Sequence, residues 1–307
     1  WGTKNDAHHP SFIRMSEDLY LMAYYGYNSG AKHDGTSVSN AWGHWLTVFQ
    51  IKSDGSTITE LGNYMHDHYT DNYPYNSLIK IDDDTYALAY RSYNYGPQTN
   101  GQWAGWVKTF KVNGASMSQV NELSISNTGS EMYEPSWQHL AGDKYALAHS
   151  GSGSDGYITT LTISADGQTI TQIAQIEHDT DYNRMNSLQK VDTDTYLLAY
   201  EGTSGDGFMK TFTIPTNGSS ITEVKKIEHD IENAQYNSMI PIDDNKFMLA
   251  YRTGSSDGNL KFFTVSDDGS SITENVSYEH DTNDGEYNSL LMMDHDNFVL
   301  AYSGSND

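Results

Sequence analysis

The chain has 307 residues, of which 36% are hydrophobic and 19% are charged, and it contains no cysteine. Its formal charge is −24, from 41 acidic and 17 basic residues, so we expect no nucleic-acid partner, because such a surface repels phosphate backbones. No stretch is apolar enough to cross a bilayer, so we expect no membrane insertion, and the lack of cysteine excludes disulfides and thiolate metal sites.

One sequence motif recurs along the chain and is clearest at residues 229–251, which read HDIENAQYNSMIPIDDNKFMLAY. It returns at 178–200 and 280–302, and looser copies lie upstream. Each of six copies contains an anchor serine: Ser11, Ser77, Ser136, Ser187, Ser238 and Ser289. The spacings are 66, 59, 51, 51 and 51 residues, and every anchor is followed by an aromatic residue after nine positions and an alanine after twelve. These fixed offsets predict a repeat protein.

The fourth repeat shows the predicted elements most clearly. Alternating apolar residues predict strands at 185–191, 195–200, 208–214 and 221–229, separated by Asp-rich or Gly-rich turns. Four antiparallel strands in about 51 residues are typical of a β-propeller blade. We therefore predict an all-β fold, a single β-propeller domain over residues 1–307, with six repeats of four antiparallel strands.

The sixth repeat is incomplete, because Asp307 follows its second predicted strand. The sequence favours a fragment of a longer protein. The alternative is strand exchange, in which a neighbouring molecule completes the sixth blade.

Departures from the repeat indicate where function lies. The first repeat has about 13 extra residues within 28–45, and the second has about 8 within 91–106. We predict that these insertions are surface loops, in which aromatic rings stack on a ligand or on one another. The predicted ligand-binding residues are Trp42, His44, Trp45, Tyr93, Tyr95, Trp103, Trp106 and, in the third repeat, Trp137.

Two positions in each repeat are predicted to lie near a functional rim. They are the residue two before the anchor and the residue after the fixed alanine. The ionisable departures at these positions are His9, Glu134 and His149. With Tyr75 and Arg91 they form the set of candidate catalytic residues, none of which belongs to a known catalytic motif.

Histidine precedes aspartate at the start of the regular copies of the motif, a pair that could bind a metal ion. The candidate ligands are His66, His68, His178, His229 and His280. Adjacent residues of a strand point to opposite sides, so we favour a structural role, with Asp capping the loop and His bonding a neighbouring blade. No cofactor is expected to be required, and calcium and zinc are the ions that the acidic turns and His-Asp pairs would suit.

The first repeat, AHHPSFIRMSEDLYLMAYYG at Ala7 to Gly26, resembles the opening strands of BNR/sialidase-like propellers. The whole chain also resembles regular propeller repeats of secreted or surface proteins. No true Asp-box is present: in Ser266-Asp267-Asp268-Gly269 the glycine directly follows the aspartate. The resemblance implies a propeller fold and an extracellular or cell-surface location.

Three functions remain open. The favoured one is a binding propeller, lectin-like or adhesive, that recognises a glycan, a polysaccharide or a surface protein through the loop face of repeats one to three. The second is a polysaccharide-active enzyme, a lyase rather than a hydrolase. The third is a structural component of a surface layer, filament or virion. Near-identical repeats favour binding, because catalysis needs one asymmetric site.

Overall fold

The structure is a computed structural model, and it describes residues 7–32, 35–68, 75–94, 102–125 and 132–304. These residues form 22 β-strands and two single-turn 3-10 helices, Ser152–Ser154 and Thr203–Gly205. The strands make five four-stranded sheets and one two-stranded sheet, each an antiparallel meander in chain order. The all-β prediction and the four-stranded repeat are therefore confirmed. No helix in the described ranges is long and apolar enough to span a membrane.

The first three sheets correspond to the first three repeats. Sheet one contains β1 (Ala7–Arg14), β2 (Leu19–Lys32), β3 (Ser37–Ile51) and β4 (Ile58–Asp67). Sheet two contains β5 (Asn76–Lys80), β6 (Thr85–Asn94), β7 (Gln102–Asn113) and β8 (Ser116–Ser124). Sheet three contains β9 (Tyr133–Ala141), β10 (Lys144–Ser150), β11 (Gly156–Ile163) and β12 (Ile170–Asp179).

The remaining sheets follow the regular repeats. Sheet four contains β13 (Arg184–Lys190), β14 (Thr195–Glu201), β15 (Asp206–Thr213) and β16 (Thr222–Asn233). Sheet five contains β17 (Gln235–Asp243), β18 (Lys246–Arg252), β19 (Gly258–Val265) and β20 (Ile272–Asp281). The two-stranded sheet contains β21 (Glu286–Met292) and β22 (Phe298–Ser303). In the fourth repeat each strand overlaps its predicted range.

The chain divides into two compact units. The N-unit comprises the residues up to Trp137 together with Thr162–Gln172, and the C-unit comprises Gln138–Leu161 and the residues from Ile173 onward. The prediction of a single domain over residues 1–307 stays a prediction.

The anchor serine joins successive sheets. In the C-unit, Ser187 Oγ accepts a hydrogen bond from the backbone N–H of Met239 at 3.1 Å, and Ser238 Oγ accepts one from Leu290 at 3.0 Å. In the N-unit, Ser11 Oγ accepts the same bond from Leu78 at 2.9 Å. Each donor directly follows the next anchor, so the first strands of neighbouring repeats lie side by side.

The second strands form the core, because both of their faces are covered. In β14 every residue from Thr195 to Glu201 is buried, and in β18 every residue from Phe247 to Tyr251 is buried. The fixed alanine belongs to this layer and is fully buried in β14 as Ala199. A small side chain there lets the adjacent sheets pack closely.

The insertion in the first repeat was predicted to be a surface loop, and the structure corrects this. Strands β2 and β3 continue into the insertion as a hairpin, whose turn includes Gly35 at φ +81°. The hairpin tip folds back, and Ala31 pairs in parallel with Tyr64 of β4. Gly30 is required where the two strands meet, because a Cβ at this position would lie 2.6 Å from the carbonyl oxygen of Asn63. The hairpin therefore covers the outer edge of its own sheet, a common protection against edge-to-edge pairing.

Candidate functional site

The candidate site lies at the end of the sheets where the first strand of each repeat begins and the second strand ends. We call this end of the strands the edge of the site. Two positions pair across this edge: the residue three before the anchor and the residue fourteen after it. In the N-unit this pair is His8 with Tyr25. In the C-unit it is Arg184 with Glu201 and Gln235 with Arg252.

A β-bulge sits between this pair and the anchor, and it shifts the strand register by one residue. The bulged residue two before the anchor has a left-handed backbone in five repeats, in His9, Glu134, Met185, Tyr236 and Tyr287, with φ between +46° and +56°. Residues other than glycine adopt this conformation rarely, and such strain concentrates at functional sites. The bulge is repeated while its side chain varies, so the scaffold presents histidine, glutamate, methionine or, in two repeats, tyrosine at the same backbone position.

Aromatic rings cluster at this edge in the first repeat. Trp42 at the base of the hairpin has 37% of its surface exposed. Its ring centroid lies 5.5 Å from that of Tyr25 and 6.2 Å from that of His8, and both pairs are stacked. The centroid of the Tyr27 ring lies 5.9 Å away. His8 is exposed, whereas Tyr25 is buried beneath the cluster. The result is a supported aromatic surface with an exposed indole.

A second aromatic group continues the edge into the next repeats of the N-unit. The rings of His9 and Tyr75 are 4.3 Å apart, and Tyr75 lies 6.2 Å from Tyr133. The Arg91 guanidinium lies 4.3 Å from the Trp103 ring centre and 4.6 Å from that of Tyr133. Two cation–π contacts hold this arginine between the rings. Burial and the neighbouring His8 lower the pKa of His9, so its imidazole is neutral near pH 7.

We call this surface the aromatic edge. It consists of His8, His9, Tyr25, Trp42, Tyr75, Arg91, Trp103 and Tyr133. Five of these residues were predicted from the sequence, namely His9, Trp42, Tyr75, Arg91 and Trp103, and the structure brings them together at one edge. His8, Tyr25 and Tyr133 were not predicted from the sequence. Comparing the repeats at the two paired positions, three before and fourteen after the anchor, would have identified them.

Other predicted ligand-binding residues lie in the core rather than in surface loops. Trp45 and Trp106 are fully buried, and the indole N–H of Trp45 donates to the Gly26 carbonyl at 3.1 Å. Trp137 is buried and donates to the Ser77 carbonyl at 3.1 Å. These rings are buried because β3, β7 and β9 continue through the segments that contain them.

His44 is also buried, and desolvation lowers its pKa to about 4. Tyr93 is part of β6, where its backbone pairs with that of Trp103. Tyr95 lies outside the described residues.

The residue after the fixed alanine was predicted to lie near the functional rim, and this prediction is wrong. The residues at this position in the first five repeats are buried: Tyr24, Tyr90, His149, Tyr200 and Tyr251. His149, a candidate catalytic residue, lies in the core of the C-unit, where its Nε2 is 3.2 Å from Thr159 Oγ1. Desolvation lowers its pKa to about 4. The other departure, Glu134, is partly exposed at its bulge in the N-unit.

The His-Asp pairs join neighbouring repeats. In the C-unit, Asp179 Oδ1 accepts the backbone N–H of Asp181 at 3.3 Å, and its Oδ2 accepts the Tyr200 hydroxyl at 2.7 Å. Asp230 makes the same two contacts, with Glu232 and Tyr251. The predicted capping role of the aspartate is therefore confirmed.

The His178 ring packs rather than bonds, since neither of its nitrogens has a hydrogen-bond partner among the described residues, which corrects the expected hydrogen bond. The His178 ring meets Tyr200 edge-on at 5.4 Å and Phe212 at 5.5 Å, and it covers Gly156, where a Cβ would lie 2.7 Å from its Cε1. Desolvation lowers the pKa of His178 to about 3.

The other candidate metal ligands have the following surroundings. His229 is buried like His178, His280 contacts Tyr302 edge-on at 4.8 Å, His66 contacts Tyr90 edge-on at 4.9 Å, and His68 is exposed. Within the described ranges, no group of three His, Asp or Glu side chains is placed to hold a metal ion. Calcium or zinc binding stays a prediction.

Several solved structures share this fold at low sequence identity. A putative 6-phosphogluconolactonase from Bacteroides fragilis has a TM-score of 0.59 at 14% identity, over 87% of this chain and 70% of that one. The α-L-arabinofuranosidase Arb93A from Fusarium graminearum has a TM-score of 0.58 at 11% identity, over 98% and 90%. The NanB sialidase from Streptococcus pneumoniae has a TM-score of 0.59 at 11% identity, over 97% and 65%.

These likenesses establish the fold, and the predicted β-propeller class is confirmed. The resemblance to BNR-type repeats in particular stays a prediction. No protein-family model and no curated protein sequence matches the chain.

Proposed function

We propose that the protein is a carbohydrate-binding β-propeller that holds a glycan on the aromatic edge of the N-unit. The observation that carries the proposal is the exposed Trp42 ring, stacked with His8 and Tyr25 at one end of the first sheet. The C–H face of a sugar ring is apolar and packs on an indole face, whereas its hydroxyls need polar partners. An exposed indole supported from behind is suited to such a ring.

The polar groups of the edge suit sugar hydroxyls. The neutral His9 imidazole has one donor and one acceptor nitrogen, which matches a hydroxyl that also does both. Arg91 has a positioning role in this proposal, because its guanidinium fixes the Trp103 and Tyr133 rings from between them. A rigid aromatic surface loses little conformational entropy when a ligand binds.

We propose binding rather than catalysis as the function. The candidate base His9 packs against Tyr75, and the other histidine candidate, His149, is buried in the core of the C-unit. The sialidase and the arabinofuranosidase that share this fold are glycan-directed by name, but a fold hosts many functions, so they support the proposal by analogy alone. Recognition of an external glycan also agrees with the predicted extracellular location.

The test is a glycan array probed with the wild-type chain, Trp42→Ala and Phe12→Ala. Phe12 is a matched control, because it is an aromatic residue with 51% exposure on β1 that stacks with Tyr20, away from the aromatic edge. We expect glycan binding that falls at least about tenfold in Trp42→Ala and is unchanged in Phe12→Ala. Equal binding by all three proteins would overturn the proposed site. Release of unsaturated sugars from an anionic polysaccharide would instead establish the lyase alternative.

A further inference from the structure

The same edge in the C-unit carries a different set of side chains, arranged as a chain of polar contacts. Gln235 Nε2 donates to Glu201 Oε1 at 3.0 Å, and Gln235 Oε1 accepts from Arg252 Nη1 at 2.8 Å. Arg252 Nε lies 3.6 Å from Glu286 Oε1 and 3.8 Å from Asp284 Oδ1. We call Glu201, Gln235, Arg252 and Glu286 the polar ladder. It occupies the paired edge positions of three successive repeats.

Two tyrosines stand beside the ladder at the bulge positions. The rings of Tyr236 and Tyr287 are 4.5 Å apart, and Tyr287 has 58% of its surface exposed. Burial and a hydrogen bond with Tyr287 raise the pKa of Tyr236, so its hydroxyl stays protonated. Both residues have the left-handed backbone of the bulge, with φ +55° and +53°. The scaffold thus holds an aromatic pair next to a row of hydrogen-bonding groups.

From this arrangement we infer that the C-unit has a second saccharide site, in which Tyr287 stacks on a neutral sugar ring and the polar ladder binds its hydroxyls. Carboxylate, amide and guanidinium groups in one row offer both acceptors and donors at neighbouring positions. Each hydroxyl of a sugar ring both donates and accepts, so adjacent hydroxyls can use both kinds of group. The Tyr287 ring and the polar ladder lie at the same edge, so a sugar ring can stack on the tyrosine while its hydroxyls reach the ladder.

The charges of the site disfavour an acidic ligand. Glu286 and Asp284 lie 3.6 and 3.8 Å from Arg252 Nε, and Glu201 pairs across the edge with Arg184. Three carboxylates thus outnumber two guanidinium groups, so the cluster repels an acidic sugar, as does the net charge of −24. A hydroxyl-rich neutral ring remains favourable.

This site does not depend on the aromatic edge of the N-unit, and one experiment separates the two. An array of neutral, sialylated and uronate-containing glycans is probed with the wild type, Trp42→Ala, Tyr287→Ala and the double variant. Tyr278→Ala is the matched control, since this tyrosine of β20 has 63% exposure and lies outside the edge. Tyr287→Phe keeps the ring, and thermal unfolding of each variant confirms that it is folded.

We expect the binding that remains in Trp42→Ala to be to neutral glycans. Adding Tyr287→Ala should weaken this remaining binding at least about tenfold, and adding Tyr287→Phe or Tyr278→Ala should change it less than about threefold. If Trp42→Ala abolishes all binding while Tyr287→Ala binds like the wild type, the second site is wrong and the proposed function stands. If Tyr287→Ala alone abolishes binding, the second site stands and the aromatic edge is not the ligand site. Binding confined to acidic glycans, or no binding to any glycan, overturns the inference.

Discussion

Ser187 accepts a hydrogen bond at 3.1 Å from the backbone N–H of Met239, the residue that directly follows the next anchor serine. The bond repeats from Ser238 to Leu290 and from Ser11 to Leu78. It explains why serine is fixed at this position: its hydroxyl satisfies a backbone donor of the adjacent sheet, which cannot be left unpaired in a buried strand without cost.

Ser187→Ala should therefore lower the free energy of unfolding by about 1–2 kcal/mol, because the buried Met239 N–H loses its acceptor. Urea denaturation measures the effect. Ser220→Ala is the control, since Ser220 is exposed in the turn before β16 and should change stability by less than about 0.5 kcal/mol. Equal midpoints for the two variants would contradict this role of the anchor.

Lys210→Met should destabilise the protein by about 2 kcal/mol. The Lys210 side chain is buried, and its Nζ lies 3.0 Å from Glu223 Oε2 and 4.0 Å from Asp179 Oδ2. It also donates to the His178 carbonyl. Removing the cation leaves the Asp179 carboxylate with the more exposed Lys226, whose Nζ lies 3.8 Å away, and takes a charged donor from the His178 carbonyl. The same denaturation experiment detects the loss.

Lys225→Met is the matched control for this variant, because Lys225 is an exposed lysine on the neighbouring strand β16. Its effect should stay within about 0.5 kcal/mol. A Lys210→Met variant as stable as Lys225→Met would show that the buried ion pair is dispensable.

The buried histidines should make the protein sensitive to acid. Desolvation, with Lys261 nearby, lowers the pKa of His229 to about 3, against an ordinary value of 6.5. Between these values the unfolded chain binds a proton that the folded protein does not, so stability falls as the pH drops below 6.5 and the loss is complete near pH 3. Each such histidine contributes a slope of at most about 1.4 kcal/mol per pH unit.

His229→Gln should flatten the dependence of stability on pH between 6.5 and 3, although the loss of ring packing lowers stability at neutral pH. Denaturant midpoints across this range measure the slope. His295→Gln is the control, because His295 is exposed and its pKa is raised by Asp296 rather than lowered. The fall of stability between pH 6.5 and 3 should therefore be the same in His295→Gln as in the wild type. An unchanged slope in His229→Gln would contradict the account.

The sequence predicted the fold because the period, the hairpin turns and the alternation within strands are local signals. It did not predict the site equally well, for a physical reason. In β10 and β14 both strand faces are covered, so the position held by His149 and Tyr200 is buried although it varies between repeats. Alternation within one strand does not reveal what packs on its second face.

The bulge concealed the other part of the site. Without it, Tyr25 would pair with His9; the register shift pairs Tyr25 with His8 instead. A one-residue shift of register changes which side chains meet at the edge. His8 and Tyr133 were therefore missed, while Trp42 was found from the insertion that contains it.

The most direct test of the aromatic edge is the indole N–H resonance of Trp42, followed by NMR during titration with a neutral glycan selected on the array. Trp45 and Trp137 serve as internal references, because their buried indoles donate to the carbonyls of Gly26 and Ser77. Trp42→Phe assigns the resonance. We expect a saturable shift of the Trp42 signal with the two references unmoved. Saturable glycan binding that leaves the Trp42 signal unmoved would contradict it.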